Sequence, residues 1–173
     1  MNLEISNAKE VRLTDDDIRM LAEIEEHPDV RKWASHAYGG SIERMYAWFK
    51  ESLSKLPDSG DEFLMARVDG RVVGFAGIHR LCGNMSHVGE VGIMVHPKHQ
   101  NKGIGAALLE ACIRIARKRD FERLEADTLA QNKAMMRIAG KAGFTLEGIR
   151  RGRIKRGENC FDKALLGINL KQK

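Results

Sequence analysis

The residues whose types and spacing suggest chemistry lie between Glu90 and Ala106, in the stretch E-V-G-I-M-V-H-P-K-H-Q-N-K-G-I-G-A. Its first part is β-branched and apolar, which predicts a strand that ends before Pro97. A short basic loop follows, and Gly103 and Gly105 then open a predicted helix. The first amides of a helix have no intrahelical partner and the helix dipole is positive there, so this start favours an anion. Glycine also lets a bulky phosphate approach the backbone.

The start of this predicted helix has no side chain suited to cap it. Ser, Thr and Asp are absent from the loop, and the nearest side chains are those of Gln100, Asn101 and Lys102. Helices are usually capped by a side-chain oxygen at this point. An uncapped, glycine-led start is what we expect where a bound anion takes the place of the cap.

Two well-known phosphate loops do not fit the glycine pattern. The P-loop pattern G-x-x-x-x-G-K-[ST] does not occur in the chain. A dinucleotide-binding turn needs a small residue where Leu108 stands, and it places its first glycine almost at the strand end. Here seven residues separate Val95 from Gly103. The anion must therefore belong to another class of ligand.

The elements that position this stretch alternate between strands and helices. In the first half, Val11–Leu13 predicts a short strand, and Thr14 predicts the cap of a helix that ends at His27-Pro28. Ile18, Leu21, Ala22 and Glu25 trace one side of that helix. Ser41 opens a second amphipathic helix, with Met45, Trp48, Phe49 and Leu53 at helical spacing. Asp69-Gly70 between two apolar runs predicts a hairpin of residues 63–68 and 71–79.

The second half continues the alternation. The strand 87–95 leads into the glycine-opened helix, and Leu124–Leu129 predicts the next strand. Asn132 is a predicted cap for a helix to Lys141, which Gly143 stops with Phe144 docking back. The chain finishes with a predicted hairpin of residues 149–155 and 160–170. This order predicts a single mixed α/β domain over residues 1–173.

Composition limits the function classes. The 173 residues are 43% hydrophobic and 31% charged, as in globular proteins, and no apolar run reaches the length of a membrane span. Three widely spaced cysteines (Cys82, Cys112 and Cys160) match neither a disulfide framework nor a zinc site, which favours a reducing, cytoplasmic setting. The net charge of +5 is uneven: residues 1–60 carry 8 Lys/Arg against 12 Asp/Glu, and the rest carry 21 against 12. A basic part around an anion site suits a phosphate-bearing ligand.

Two motifs identify a family. Gln100-Asn101-Lys102-Gly103-Ile104-Gly105 reads Q-x-x-G-x-G and follows the V-x-P of Val95 and Pro97. Downstream, Asn132, Lys141, Gly143 and Phe144 form N-x-x-x-x-x-x-x-x-K-x-G-F. Together these resemble the two signatures of the GNAT superfamily of acyl-CoA-dependent N-acyltransferases. Residues 135–138 and Glu147-Gly148 are most similar to the branch that contains ribosomal-protein N-terminal acetyltransferases and their small-molecule relatives.

The resemblance implies a mostly antiparallel sheet that splays open after the 87–95 strand, with acetyl-CoA in the gap and no metal. The pantetheine arm is expected to pair with the backbone of Ile93 to Val95, and the pyrophosphate to bind the amides from Asn101 to Ala106. Asn132 is expected on the other side of the cofactor, and Lys102 to add charge. The implied cofactor-binding residues are Ile93, Met94, Val95, Gln100, Asn101, Lys102, Gly103, Ile104, Gly105, Ala106 and Asn132.

Transfer of an acetyl group to an amine needs a base, because an ammonium is not a nucleophile. Glu90 is the predicted base: related enzymes carry a glutamate near this point that acts through water, and desolvation in a cleft would suit a carboxylate for that role. His87 and His79 are weaker candidates. Many related enzymes have a tyrosine acid where this chain has Ala139, so the acid stays open between water, Tyr38, Tyr46 or none.

The acceptor is expected to be a primary amine on a small molecule or protein: a protein N-terminus, a lysine or a polyamine-like amine. Acidic residues in the first two helices favour a cation: Asp15, Asp16, Asp17, Glu23, Glu25, Glu26 and Asp29. Basic residues in the last hairpin favour an anion: Arg150, Arg151, Arg153, Lys155 and Arg156. The alternatives are a non-catalytic acyl-CoA sensor and a nucleic-acid-binding module, although the hairpin lacks stacking aromatics. No membrane partner is expected, and a homodimer is allowed for.

Overall fold

The computed structural model describes residues 2–34 and 40–171. In this part the strands are β1 Leu3–Asn7, β2 Glu62–Val68, β3 Arg71–Arg80, β4 Val88–Val95, β5 Arg123–Leu129, β6 Thr145–Arg156 and β7 Asn159–Asn169. The helices are α1 Asp15–Glu26, α2 Pro28–Arg31, α3 Ile42–Lys55, α4 Ile104–Lys118 and α5 Lys133–Lys141. The predicted order of elements is confirmed, except for the position of the first strand and the short helix α2.

All seven strands join one sheet in the order β1-β2-β3-β4-β5-β7-β6. Neighbouring strands are antiparallel apart from β4 and β5, which run parallel. The predicted α/β class, with a mostly antiparallel sheet flanked by helices, is therefore confirmed. The parallel pair lies at the centre of the sheet, where α4 provides the crossover between its two strands.

The prediction that Val11–Leu13 forms the first strand is wrong. The strand is Leu3–Asn7, which pairs with β2 from Leu3 opposite Val68 to Asn7 opposite Leu64. Leu3 and Ile5 alternate with polar residues and pack against the core, so this short segment has the period of a half-buried strand. Residues 11–13 lie in the loop before α1, and Val11 is exposed.

Two groups of helices cover the two faces of the sheet. Helices α1 and α3 pack on one face through a cluster that includes Leu21, Phe49 and Phe75. Helices α4 and α5 pack on the other face, around Leu108 and Leu124. Because side chains alternate along β4, Val91 lies in the cluster under α4 and α5, and Met94 packs against the cluster under α1 and α3.

The predicted caps and turns are present. Thr14 and Asp17 form a reciprocal capping box at the start of α1, and Ser41 caps α3. The β2–β3 hairpin turns through Asp69 and Gly70, both with positive φ, as a two-residue hairpin turn requires. Among the described residues, no helix combines the length and the apolar character needed to cross a bilayer.

Candidate active site

The central strands β4 and β5 part from each other after only three residue pairs. Val88, Gly89 and Glu90 pair with residues 123–125 of β5. Beyond that point β4 continues to pair only with β3, while β5 continues to pair only with β7. Among residues 2–34 and 40–171, no strand therefore pairs with the backbone of residues 91–95 on its β5 side, and the sheet is splayed as expected. Its unpaired amides and carbonyls offer a ladder of hydrogen bonds to an extended ligand.

A cavity of about 1630 Å³ opens at this splay and reaches from the α4–α5 face to the α1–α3 face. Residues of β4 line its middle, the start of α4 and of α5 line one side, and α1, α3 and the β6–β7 hairpin contribute to the other. A ligand that extends through the gap would therefore meet a phosphate-type site on one face and a mixed polar and aromatic wall on the other.

The loop before α4 is held by a hydrogen bond to β3 and by a local one to the end of β4. The His96 amide donates to Val73 O at 2.8 Å, and Gln100 Nε2 donates to Val95 O at 3.0 Å. Asn101 and Gly103 have φ of 59° and 83°, so the chain turns through the left-handed region into the helix. No side chain in the described part of the chain caps α4, and the first helical bond runs from Ala107 N to Gly103 O. The amides of residues 104–106 thus lack an intrahelical acceptor.

Most of the expected cofactor residues line this cavity: Ile93, Met94, Val95, Gln100, Asn101, Gly103, Gly105, Ala106 and Asn132. Lys102 and Ile104 are outside the lining set. Lys102 is exposed, whereas the Ile104 side chain is buried in the core and only its backbone amide can meet a ligand. The gap, the uncapped helix and its glycines fit a thioester cofactor with a pyrophosphate, and the individual contacts stay predictions.

Asn132 has a second duty in the fold. Its Oδ1 accepts the amide hydrogen of Met135 at 3.1 Å and so caps α5, while its Nδ2 donates to Thr128 Oγ1 at 3.0 Å. The side-chain amide is therefore fixed between β5 and α5 on the wall of the cavity. Because the Asn132 amide is already fixed, a ligand that contacts it would not have to pay the entropy of ordering that side chain.

Glu90 lies on the cavity wall, on the same side of β4 as Gly92 and Met94. In register it stands between His79 of β3 and Glu125 of β5. The side chain is exposed rather than buried at a cleft floor. The Glu90 carboxylate is therefore not desolvated by the protein alone, contrary to our expectation. A ligand bound in the cavity would have to exclude water from it.

The weaker candidates have other surroundings. His79 Nδ1 lies 3.0 Å from Asp61 Oδ1, and His87 is exposed outside the lining set. Ala139 is fully buried, and its methyl side chain has no proton to donate, so this position supplies no acid. The Tyr46 hydroxyl donates to Asp15 at 2.7 Å and does not line the cavity. Tyr38 lies outside the described residues.

The two conflicting charge patterns of the sequence are mostly remote from the cavity. Of the acidic residues noted in the first two helices, Glu25 alone lines it, and of the basic hairpin residues, Arg150 alone does. Asp17 pairs with Arg67 at 2.6 Å, and that hydrogen bond lowers the pKa of Asp17 to about 2. Arg151 pairs with Asp162 at 2.7 Å. Many of these charges are therefore satisfied within the fold.

Sequence reasoning missed Glu25 as a site residue. It lies near the end of α1, lines the cavity and is half-buried. Burial raises the pKa of Glu25 to about 7, the neighbouring charge of Glu26 adds to the rise, and Arg31 opposes it. The sequence did contain a signal for Glu25. It is a carboxylate on a helix face that is otherwise apolar, at Ile18, Leu21 and Ala22.

Arg156, at the tip of the β6–β7 hairpin, holds the segment after α2. Its guanidinium donates to the carbonyl oxygens of Lys32 at 2.5 Å, Arg31 at 3.1 Å and Ala34 at 2.6 Å. Trp33 and Ala34 of that segment line the cavity. The hairpin tip thus fixes this part of the cavity wall. Arg156 binds backbone carbonyls of the fold, whereas the sequence had suggested that it would favour an anionic ligand.

Comparison with known proteins agrees with this geometry. Residues 21–144 match the model of the Acetyltransferase (GNAT) family, so the chain belongs to that family. It is 31% identical over 102 residues to the L-amino acid N-acyltransferase MnaT of Escherichia coli K12, covering 58% of this chain and 57% of that one. The chain spans 17% to 57% of the length of the curated relatives that it matches.

Solved structures show the same fold over nearly the whole chain. The structure of yncA from Salmonella typhimurium with its cofactor acetyl-CoA has a TM-score of 0.83 at 22% identity, covering all of this chain and 96% of that one. The ribosomal-protein-alanine N-acetyltransferase of Brucella melitensis has a TM-score of 0.78 at 23% identity, covering 96% and 99%. At these identities the likeness concerns the fold.

Proposed function

We propose that this protein is an N-acetyltransferase that moves an acetyl group from acetyl-CoA to a primary amine, by direct attack while both substrates are bound. The observation that carries the proposal is the uncapped, glycine-opened start of α4 at the edge of the gap between β4 and β5. Family membership and the naming of MnaT as an N-acyltransferase support it. The whole of residues 1–173 is proposed to act as one domain, in the cytoplasm, where its three unpaired cysteines would stay reduced.

Acetyl-CoA would supply an activated acyl group and a thiolate leaving group. The chain's part is to hold and orient the substrates. The amides of residues 104–106 would bind the pyrophosphate, and the unpaired β4 backbone would bind the pantetheine arm. A β4 amide near Met94 and Val95 would polarise the acetyl carbonyl. Gly103 and Gly105 have no side chain, so nothing would separate their backbone from the phosphates.

Glu90 would take a proton from the attacking nitrogen through a water molecule. It faces the cavity from the strand that would hold the thioester, and its position beside the gap fits that role. Since Ala139 provides no acid, the sulfur would leave as a thiolate or take its proton from water. The acceptor is proposed to be an amine of a protein N-terminus, a lysine or a small molecule.

Binding and turnover test the proposal separately. Acetyl-CoA should raise the melting temperature, and the increase should grow with the logarithm of its concentration above the Kd, because a ligand of the folded state stabilises it. An acceptor screen that scores free thiol should then find an amine that is turned over. Lack of stabilisation would refute the cofactor site, whereas stabilisation with no turnover across amino acids, peptides and polyamines would favour the acyl-CoA sensor.

A further inference from the structure

Glu25 stands on a helix face that should carry an apolar residue. Ile18, Leu21 and Ala22 of α1 are buried against the sheet, and Glu25 follows at the same helical spacing. The helix therefore directs this carboxylate toward the protein, where it lines the cavity. An ordinary surface glutamate on α1 would instead lie on the opposite, solvated face.

Glu25 also lacks the partner that such a position normally demands. Arg31, whose charge acts on Glu25, is itself paired with Glu26 at 3.0 Å. Within residues 2–34 and 40–171, Glu25 makes no hydrogen bond or ion pair, and Glu90 is the other lining carboxylate without a cation. The remaining lining carboxylates have basic partners: Asp61 with His79, Glu62 with Lys9 and Arg119, Glu125 and Glu147 with Arg123, and Asp127 with Lys163.

An unpaired, part-buried carboxylate costs stability, because its charged form loses hydration without compensation. The raised pKa of Glu25 reports that cost. Groups kept at such a cost on the wall of a cavity are candidates for function. The charged groups that act on Glu25 directly are Glu26 of α1 and Arg31 of α2. On the other elements packed against α1, the charged or titratable residues that line the same cavity are Arg44 and Lys55 of α3, His79 of β3 and Glu90 of β4.

The end of α1 lies beside the end of β4. Met94 packs into the cluster of α1 and α3, and the His27 ring lies 5.7 Å from the His96 ring. Glu25, in the last turn of α1, and Met94 and Val95, at the end of β4, line the same cavity. That segment is where the acetyl carbonyl is placed in the proposed function.

We propose that Glu25 binds the ammonium group of the acceptor and takes its first proton. The inference rests on the proposed function and names a binding group in the same cavity. One N–H bond breaks, an O–H bond forms on Glu25, and the freed nitrogen lone pair attacks the acetyl carbon. As the C–N bond forms, the C–S bond breaks and its electron pair leaves with sulfur. The second proton passes from nitrogen through water to Glu90, and both carboxylic acids then return their protons to solvent.

The test compares Glu25→Gln with the wild type, using whichever of L-methionine, an alanine-led peptide or spermidine the wild type acetylates fastest. We expect the KM for the amine to rise at least tenfold, with the Kd for acetyl-CoA unchanged within twofold. The rise of kcat/KM near pH 7 should flatten, since glutamine cannot ionise. Glu25→Asp should restore part of the amine affinity because it keeps the charge.

Glu110→Gln is the matched control, since Glu110 is an exposed α4 residue outside the cavity lining, and it should behave as the wild type. An unchanged amine KM and pH profile in Glu25→Gln would overturn the inference while leaving the proposed function intact. Equal losses of amine and acetyl-CoA binding would show a structural role and also overturn it. A wild type that acetylates none of the three amines would refute the proposed function, and this inference with it.

Discussion

The two sides of the cavity are built in different ways. The cofactor side comes from one contiguous stretch, residues 90–106, with Asn132 added from the next strand–helix connection. Its loop carries a local bond from Gln100 Nε2 to Val95 O. The acceptor side joins α1, α3 and the last hairpin, and its anchor links residues 124 positions apart in sequence, Arg156 and Lys32.

This difference separates what is shared from what can vary. A local loop with backbone donors binds the same phosphate group whatever surrounds it. A wall assembled from distant segments changes whenever one of them changes, and so it can select different amines on one scaffold. Changes on the cofactor side should therefore abolish binding of acetyl-CoA, and changes on the acceptor side should alter only the use of the amine.

The largest effect is expected from Gly103→Val. A β-branched residue at φ of 83° is strained by about 1–2 kcal/mol or more. The loop must therefore rearrange, and the first amides of α4 should no longer point toward the pyrophosphate. We expect acetyl-CoA affinity to fall at least 100-fold in calorimetric titration. The fold should persist, because a Cβ at this position would meet no neighbouring atom within 4 Å.

Gly157→Val is the control for that strain. Gly157 also has a positive φ, 57°, with no neighbour within 4 Å of an added Cβ, but it lies in the β6–β7 turn, outside the cavity lining. Its acetyl-CoA affinity should stay near that of the wild type. An equal loss of acetyl-CoA affinity in both variants would mean that backbone strain anywhere in the fold weakens binding. That result would contradict the view that the cofactor side is formed locally.

Glu90→Gln tests the point where the two sides meet. We expect kcat to fall by about 10²-fold, the usual contribution of a general base, and its rise with pH to flatten. Acetyl-CoA binding should persist, because the backbone of β4 is unchanged. Stopped-flow thiol release and titration measure the two quantities, and unchanged kinetics would remove Glu90 from the mechanism.

Arg156→Gln tests the long-range anchor. Loss of its three carbonyl contacts should loosen the segment that carries Trp33, raising the KM for the amine about three- to tenfold with the KM for acetyl-CoA unchanged. Arg153→Gln, which removes an exposed arginine of the same hairpin, should leave both constants alone. A rise in the acetyl-CoA constant instead would show that the two sides are not independent.

The smallest expected effect concerns stability. The folded state holds the Glu25 proton up to about pH 7, whereas the unfolded chain releases it near its ordinary pKa of 4.5. The folded protein thus binds more protons between these values, so the stability contributed at this site falls as pH rises through the window. Glu25→Gln should match the wild type near pH 4.

Above pH 7 the same variant should be more stable by about 1 kcal/mol. The full shift corresponds to about 3 kcal/mol, which we reduce because the side chain keeps part of its hydration. Urea titrations at pH 4 and pH 8 measure the difference. A variant less stable than the wild type at pH 8 would show that Glu25 has a stabilising partner.

Prediction from sequence worked where the signal was local. Thr14, Ser41 and Asn132 were identified as caps from residue type and position, and the Asp69-Gly70 turn from its dipeptide. The first strand was misplaced because Leu3–Asn7 is short and its alternation of apolar and polar residues recurs in Val11–Leu13, so only the pairing with β2 distinguishes the two segments. Val11–Leu13 had similar residue types but no strand beside it.

The chain's own sequence determined the anion-binding half of the site. Glycines at 103 and 105, an uncapped helix start and the preceding strand are properties of consecutive residues, and backbone geometry follows from them. Tertiary structure alone decided the other half. Whether Glu25 or Asp17 faces the cavity, and whether Arg156 meets a ligand or the carbonyls after α2, depends on contacts between segments far apart in the chain. Charge and spacing cannot reveal such contacts, because they form only when the sheet brings those segments together.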